Sequence, residues 1–254
     1  MGENAVDQIL WATGLLLVVA LFFILILRKR FQTLPWFTTW IGFQMTGSAL
    51  LLAVWREYPS HYQVAYWSFG AVDMLLQLMI LQEIARSVLC RNGAWVQGAK
   101  SRLLLLSALG AVVAAAMAAW VKPLAQTPIE AWSVRGNLFT TLVVCLTFTS
   151  ILSASSRFGL HWRSHVMRVG YGLTVWSLAS FAVDALHGYW GAIKHFQTLE
   201  HFEIAVWEIS LVYWSGALWI PEEEQKKIPS ALMDNLLQIH ADLNLSPEHS
   251  PGPN

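Results

Sequence analysis

The sequence predicts an all-α membrane protein of seven transmembrane helices, with the N-terminus outside and the C-terminus cytoplasmic. Three observations carry that expectation. Of 254 residues, 56% are hydrophobic and 13% charged, whereas a soluble domain carries roughly a quarter charged residues. The apolar residues gather into blocks of about twenty, the length that crosses a roughly 30 Å hydrocarbon core at 1.5 Å per residue. The Lys and Arg residues between the blocks fall unequally on the two sides, as the positive-inside rule requires.

Residues 1–7 (MGENAVD) are acidic rather than basic. The first span, 8–27, is followed at once by Arg28-Lys29-Arg30. A cleavable signal would have its basic residues before the apolar core and a small-residue cleavage site after it, so this block is expected to stay as a helix. The second span, 35–55, opens on Pro35, which suits a first turn where its missing N–H is not needed. Trp36, Trp40 and Trp55 lie near its ends. The third, 64–89, carries Asp73 and Gln77 well inside an apolar run. A polar connection from Cys90 to Ser101 leads to the fourth, 102–121, where Gly110, Ala114 and Ala118 are spaced four apart. Such a row lets neighbouring backbones approach closely, so it is read as packing.

Lys122 to Trp132, with two prolines, is expected to be a loop. The fifth span, 133–156, holds Thr140, Thr141, Thr147, Thr149, Ser150 and Ser153. Their hydroxyls are expected to bond back to their own helix or to a neighbour. The sixth span, 165–190, and the seventh, 201–220, complete the bundle, the last stopping at Pro221. Residues 1–220 thus form one bundle and 221–254 a short tail. In the tail Ser230 is a plausible N-cap for an amphipathic helix over 231–243, and SPEHSPGPN is too polar and Pro-rich to fold alone.

With the N-terminus outside, twelve of the sixteen Lys and Arg residues fall on the cytoplasmic side. The other four, Arg56, Lys122, Arg135 and Lys194, fall outside. Trp36, Trp162 and Trp219 then mark the inner interface and Trp55, Trp120, Trp132 and Trp190 the outer one, so many of the fourteen tryptophans read as interfacial anchors. The formal charge is zero, which gives nucleic acid no electrostatic reason to bind. Two cysteines, Cys90 and Cys145, are too few for a disulfide framework.

A carboxylate taken out of water without a partner costs several kcal/mol, so an intramembrane acid is a functional-site candidate. Three spans carry one, Asp73, Asp184 and Glu208, and each falls in the outer half, Asp73 roughly 13 Å down its helix. At 100° per residue Tyr66, Gly70, Asp73 and Gln77 form one stripe. Ser177, Ser180, Asp184 and His187 form another, and His201, Glu208 and Ser215 a third. The expected ligand-binding set is therefore Asp73, Gln77, Asp184, Glu208, Arg135, Asn137, Tyr66 and His187, with Asp73 facing Asp184 or Glu208 and Arg135 as counter-charge. The competing reading is a purely structural polar network that holds helices together.

Other chemistries find little footing. His61, His187, His195 and His201 with Glu200 and Glu203 would be needed for a metal-dependent hydrolase, but no HxxxH or HExxH spacing is present. No lysine lies in a span, so a retinal Schiff base has nowhere to form. The third helix ends QEIARSV rather than in an Asp-Arg-Tyr triplet, and the seventh reads VYWSGALWIP rather than Asn-Pro-x-x-Tyr, which speaks against the eukaryotic G-protein-coupled family. No cofactor is expected, haem included, because the histidines lie at helix ends and in loops.

RKRFQTLPWF after the first helix, AYW…LLQLMILQEI in the third, and SRFGLHWR before the Gly-containing Arg168-Val169-Gly170-Tyr171-Gly172 together resemble a family of uncharacterised bacterial seven-helix integral membrane proteins. The resemblance spans most of residues 8–220. It implies a multi-pass protein of the bacterial inner membrane and no activity. The expected function is sensor- or receptor-like, with an outward-facing polar pocket for a small ligand, cation or proton. Besides membrane lipids, the expected partner is a cytoplasmic protein reached through the basic loops and tail. A small-solute or proton-coupled transporter is the alternative, although no two-fold repeat or pair of broken helices is visible.

Overall fold

Away from water every backbone N–H and C=O must find its partner inside the chain, and for an apolar block of twenty residues the helix is the solution. The computed structural model describes residues 5–91, 94–95, 98–121, 128–157, 164–190 and 196–221. It contains seven long helices: α1 Ala5–Leu27, α2 Pro35–Glu57, α3 Tyr62–Leu89, α4 Ala99–Trp120, α5 Pro128–Arg157, α6 His165–Trp190 and α7 Phe196–Trp219. Six of them are long and apolar enough to cross a membrane. The seventh, α7, carries Glu200 and Glu203 in its first half and Glu208 at its middle. One short antiparallel ladder, Cys90–Arg91 with Ala94–Trp95, follows α3.

Most boundaries fall within three residues of expectation, and two differ by five. α5 begins at Pro128 rather than Ser133, so the end of the expected loop is helical, with Pro128 at the first position where a missing N–H costs nothing. α7 begins at Phe196 rather than His201. The tail, including the expected helix over 231–243, lies outside the described residues.

α1 packs on α2 and α7, α2 on α3, α3 on α5 and α6, α5 on α6, and α6 on α7. Six helices therefore close a ring, and α4 packs on its outside against α5. The small-residue row explains that contact: a Cβ at Gly110 would stand 3.3 Å from Leu146 Cβ, and Ala114 and Ala118 are buried. The opposite face of α4, with Leu104, Leu105, Leu109 and Val112, is exposed, as a lipid-facing surface would be. In α5, Thr141, Thr149 and Ser150 donate to carbonyls three or four residues back, so their hydroxyls are satisfied within the helix.

The centre of the ring is aromatic. Trp40 of α2, Trp176 of α6, and Trp207 and Trp214 of α7 pack ring on ring, with centroids 5.2–6.2 Å apart, and Phe37 joins Trp214 at 5.2 Å edge to face. Tilted and edge-on pairs at these spacings each contribute about 0.5–1.5 kcal/mol beyond area burial. Two glycines of α6 make room for bulky neighbours. A Cβ at Gly172 would collide with the Trp214 indole, and one at Gly170 with the Phe148 ring. The indole N–H of Trp214 in turn donates to the Val169 carbonyl at 3.2 Å. Trp36, Trp55, Trp120, Trp132 and Trp219 are exposed, as interfacial anchors would be, while Trp162 and the side chain of Trp190 lie outside the described residues. In the cluster Trp40 and Trp214 are fully buried and Trp176 and Trp207 are half-buried against the core.

The helix ends meet in two chemically different groups. Where α1 ends, α7 also ends, and Arg168 Nη1 donates to the Ala217 carbonyl at 3.0 Å. Arg30 Nη2 reaches the Ile220 carbonyl at 3.4 Å, and the Arg28 guanidinium lies 4.3 Å from the centre of the Trp219 ring. Cations there suit a helix C-terminus, whose last carbonyls lack intrahelical donors. At the same end Glu83 of α3 accepts from the backbone N–H groups of Trp36 and Phe37 at 3.1 and 3.2 Å. Leu34 stands at the N-cap of α2 with no side-chain oxygen to offer, and a carboxylate from the neighbouring helix takes over the role. The opposite end, where α3, α5 and α7 begin and α6 finishes, carries the acids Asp184, Glu200 and Glu203.

Candidate functional site

Asp73 sits between α2 and α3. Its Oδ1 accepts from Trp40 Nε1 at 2.6 Å and from Gln44 Nε2 at 2.6 Å, and its Oδ2 accepts from Gln77 Nε2 at 2.7 Å. Asp73 and Gln77 are four apart on one face of α3, so their pairing follows from helical phase. The other two donors come from α2, also four apart. Three neutral N–H groups thus surround one carboxylate, each hydrogen bond to a charged acceptor contributing about 1.5–3 kcal/mol. Trp40 is fully buried and belongs to the central aromatic cluster, so the network fastens α3 to the core of the bundle.

Asp184 lies between α5 and α6. Asn137 Nδ2 donates to its Oδ2 at 2.8 Å and stands 3.5 Å from Ser180 Oγ, one turn below. Among the described residues its Oδ1 accepts no hydrogen bond. Glu203 and Glu200 of α7 act on Asp184 electrostatically, and the same three acids act on Tyr66 of α3. Tyr66 is half exposed, stacks on Tyr62 with centroids 6.1 Å apart, and meets Trp67 edge to face at 5.0 Å. The Arg135 Nε is buried and finds no acceptor among the described residues. Two further acids, Glu200 and Glu203, and the Tyr66 ring thus share the electrostatic surroundings of Asp184, which is incompletely bonded among the described residues.

Glu208 goes elsewhere. α7 packs against α1, and the Glu208 Oε1 is buried beside Gly14, where a Cβ would stand 3.7 Å away. That oxygen has no hydrogen-bond partner among the described residues. The eight sequence-derived residues are thus distributed rather than pooled. Asp73 and Gln77 pair with each other and with α2. Asp184, Asn137 and Tyr66 gather at the acidic end, and Glu208 faces α1. Asp73 hydrogen bonds to α2 and not to Asp184 or Glu208, because the α2–α3 contact brings Gln44 and Trp40 within reach first. The side chain of His187 lies outside the described residues.

Four contributors were not singled out from sequence. Gln44 lies on the Asp73 network and Trp40 was read as an end residue. Glu83 was not weighed, although Leu34 at the N-cap before Pro35 left the first N–H groups of α2 in need of an acceptor. Arg168 was counted only for topology. Among the described residues no group of three or more His, Cys, Asp or Glu side chains converges as a metal site would.

The fold defines a class: a helical chain whose apolar helices have the length and composition of a multi-pass membrane protein. The particular kinship does not follow, because comparison with protein-family models, with curated proteins and with solved structures finds no match.

Proposed function

We propose that the chain is a receptor-like multi-pass membrane protein that takes a small organic cation at the acidic end of its bundle, with the basic end facing the cytoplasm. The observation that carries this reading is the arrangement at Asp184. One carboxylate oxygen is held by Asn137 and the other accepts nothing among the described residues, while Glu203, Glu200 and Tyr66, itself packed on Tyr62 and Trp67, act on it electrostatically. Acids supply charge, and aromatic faces attract an ammonium group through their quadrupoles. In this reading Asp184 is the ion-pairing residue, Asn137 its positioning residue, and Tyr66 the wall of the site. Asp73 is assigned to holding α2 and α3 together.

The orientation rests on the positive-inside rule, with twelve basic residues on one side and four on the other. The test uses the purified full chain and tetramethylammonium as probe at constant ionic strength. A saturable rise in Tm that disappears in Asp184→Asn is expected. Accumulation of labelled tetramethylammonium in proteoliposomes would instead make the chain a transporter, and absence of any shift would remove the site.

A further inference from the structure

The basic end holds two guanidinium groups whose hydrogen-bonding capacity is largely unspent among the described residues, and both touch consecutive positions at the end of α7. Arg28 stands over Trp219 with its guanidinium carbon 4.3 Å from the ring centre. Stacking of this kind engages the face of the group and leaves its N–H edges free for an oxyanion. Arg30 reaches the Ile220 carbonyl through one Nη2 contact, long at 3.4 Å, and its Nε is buried and meets no acceptor among the described residues. Lys29 between them has a φ of 53°, so α1 ends there and the chain turns into the short helical turn Arg30–Gln32. Glu83, a described acid of this end, is occupied by the backbone of α2.

The surroundings are those of a membrane interface. Leu27, Trp36, Trp219 and Ile220 are all exposed beside the two arginines. A headgroup phosphate above and acyl chains below would meet, in order, charge and apolar surface. Tryptophans at the same level suit the headgroup region.

We infer that Arg28 and Arg30 form a binding site for the phosphate of an anionic phospholipid, with Trp219 holding the Arg28 plane and Leu27 and Ile220 lying along the acyl chains. The site is separate from the acidic end, and its occupancy does not depend on a ligand there. A stacked planar guanidinium recognises two phosphate oxygens at once, which a lysine cannot do.

The experiment measures binding of a fluorescent phosphatidylglycerol to the purified full chain in neutral detergent, with Glu222, Glu223 and Glu224 of the tail present. Saturable binding is expected, displaced by unlabelled phosphatidylglycerol and not by phosphatidylcholine. Arg28→Gln and Arg30→Gln should each weaken it about tenfold, the loss expected for a charge-assisted contact. Arg56→Gln, at the opposite end, should leave it unchanged. Arg28→Lys keeps the charge and tests the plane; it should bind several-fold more weakly than the parent chain, and it serves if the glutamine variants fail to fold. Displacement by millimolar inorganic phosphate would overturn the lipid assignment in favour of a soluble anion site. Equal binding of phosphatidylcholine, or equal loss in Arg56→Gln, would overturn the site itself.

Discussion

Asp73 and Asp184 lie on helices that touch, α3 and α6, and each is bonded to an amide side chain, yet they are built for different ends. A carboxylate can accept about four hydrogen bonds. Asp73 accepts three, all from neutral donors, and one of those donors is a fully buried tryptophan at the centre of the molecule. Asp184 accepts one and is surrounded by further acids. A carboxylate whose valences are filled from two helices is a fastening. One left open among like charges has capacity for a cation from outside. Depth and residue type are the same kind of evidence for both, so partner inventory decides between them.

The comparison can be broken first at Asp73. Asp73→Leu strands the donors of Trp40, Gln44 and Gln77, and stability should fall by about 4 kcal/mol, read as a lowered midpoint of unfolding in mixed micelles. Asp73→Asn, which still offers one acceptor, should lose about half of that. An unchanged midpoint for Asp73→Leu would show that the network fastens nothing. Next, Trp40→Phe keeps an aromatic ring in the cluster but removes the N–H donor, and should cost about 1–2 kcal/mol, together with a change in the tryptophan emission spectrum. Glu83→Gln provides a third carboxylate for comparison. It removes the charge that caps α2 and should cost about 1 kcal/mol by the same unfolding measurement. Asp184→Asn should have the smallest effect, within about 0.5 kcal/mol, because an amide oxygen still accepts from Asn137 and only one hydrogen bond is at stake.

Much of the fold was legible because a membrane-spanning helix announces itself by length and apolar content alone. Gly110, Ala114 and Ala118 were legible as a packing row, and the Asp73–Gln77 pair followed from helical phase. What phase cannot supply is which helix lies opposite. Gln44 and Trp40 reach Asp73 because α2 neighbours α3, and Glu208 is lost to Gly14 because α7 closes the ring on α1. Depth placed the three acids at one level, but adjacency separated them. The Trp count misled for a related reason. A tryptophan near the end of an apolar run reads as interfacial, yet Trp40 is one turn further in than Trp36 and points to the aromatic core. Glu83 was readable only as a deficiency elsewhere, in the missing side-chain cap before Pro35.

The most direct test sets the two aspartates against each other with one probe. Thermal unfolding of the full chain is followed during titration with tetramethylammonium chloride at fixed ionic strength, in the parent chain, Asp184→Asn and Asp73→Asn. At about ten times the dissociation constant the parent Tm should rise by about 3–5 °C. Asp73→Asn should start from a lower Tm and rise by a similar amount, whereas Asp184→Asn should start near the parent value and not respond. A shift that survives Asp184→Asn, or one that Asp73→Asn alone abolishes, would contradict the division of roles between the two carboxylates.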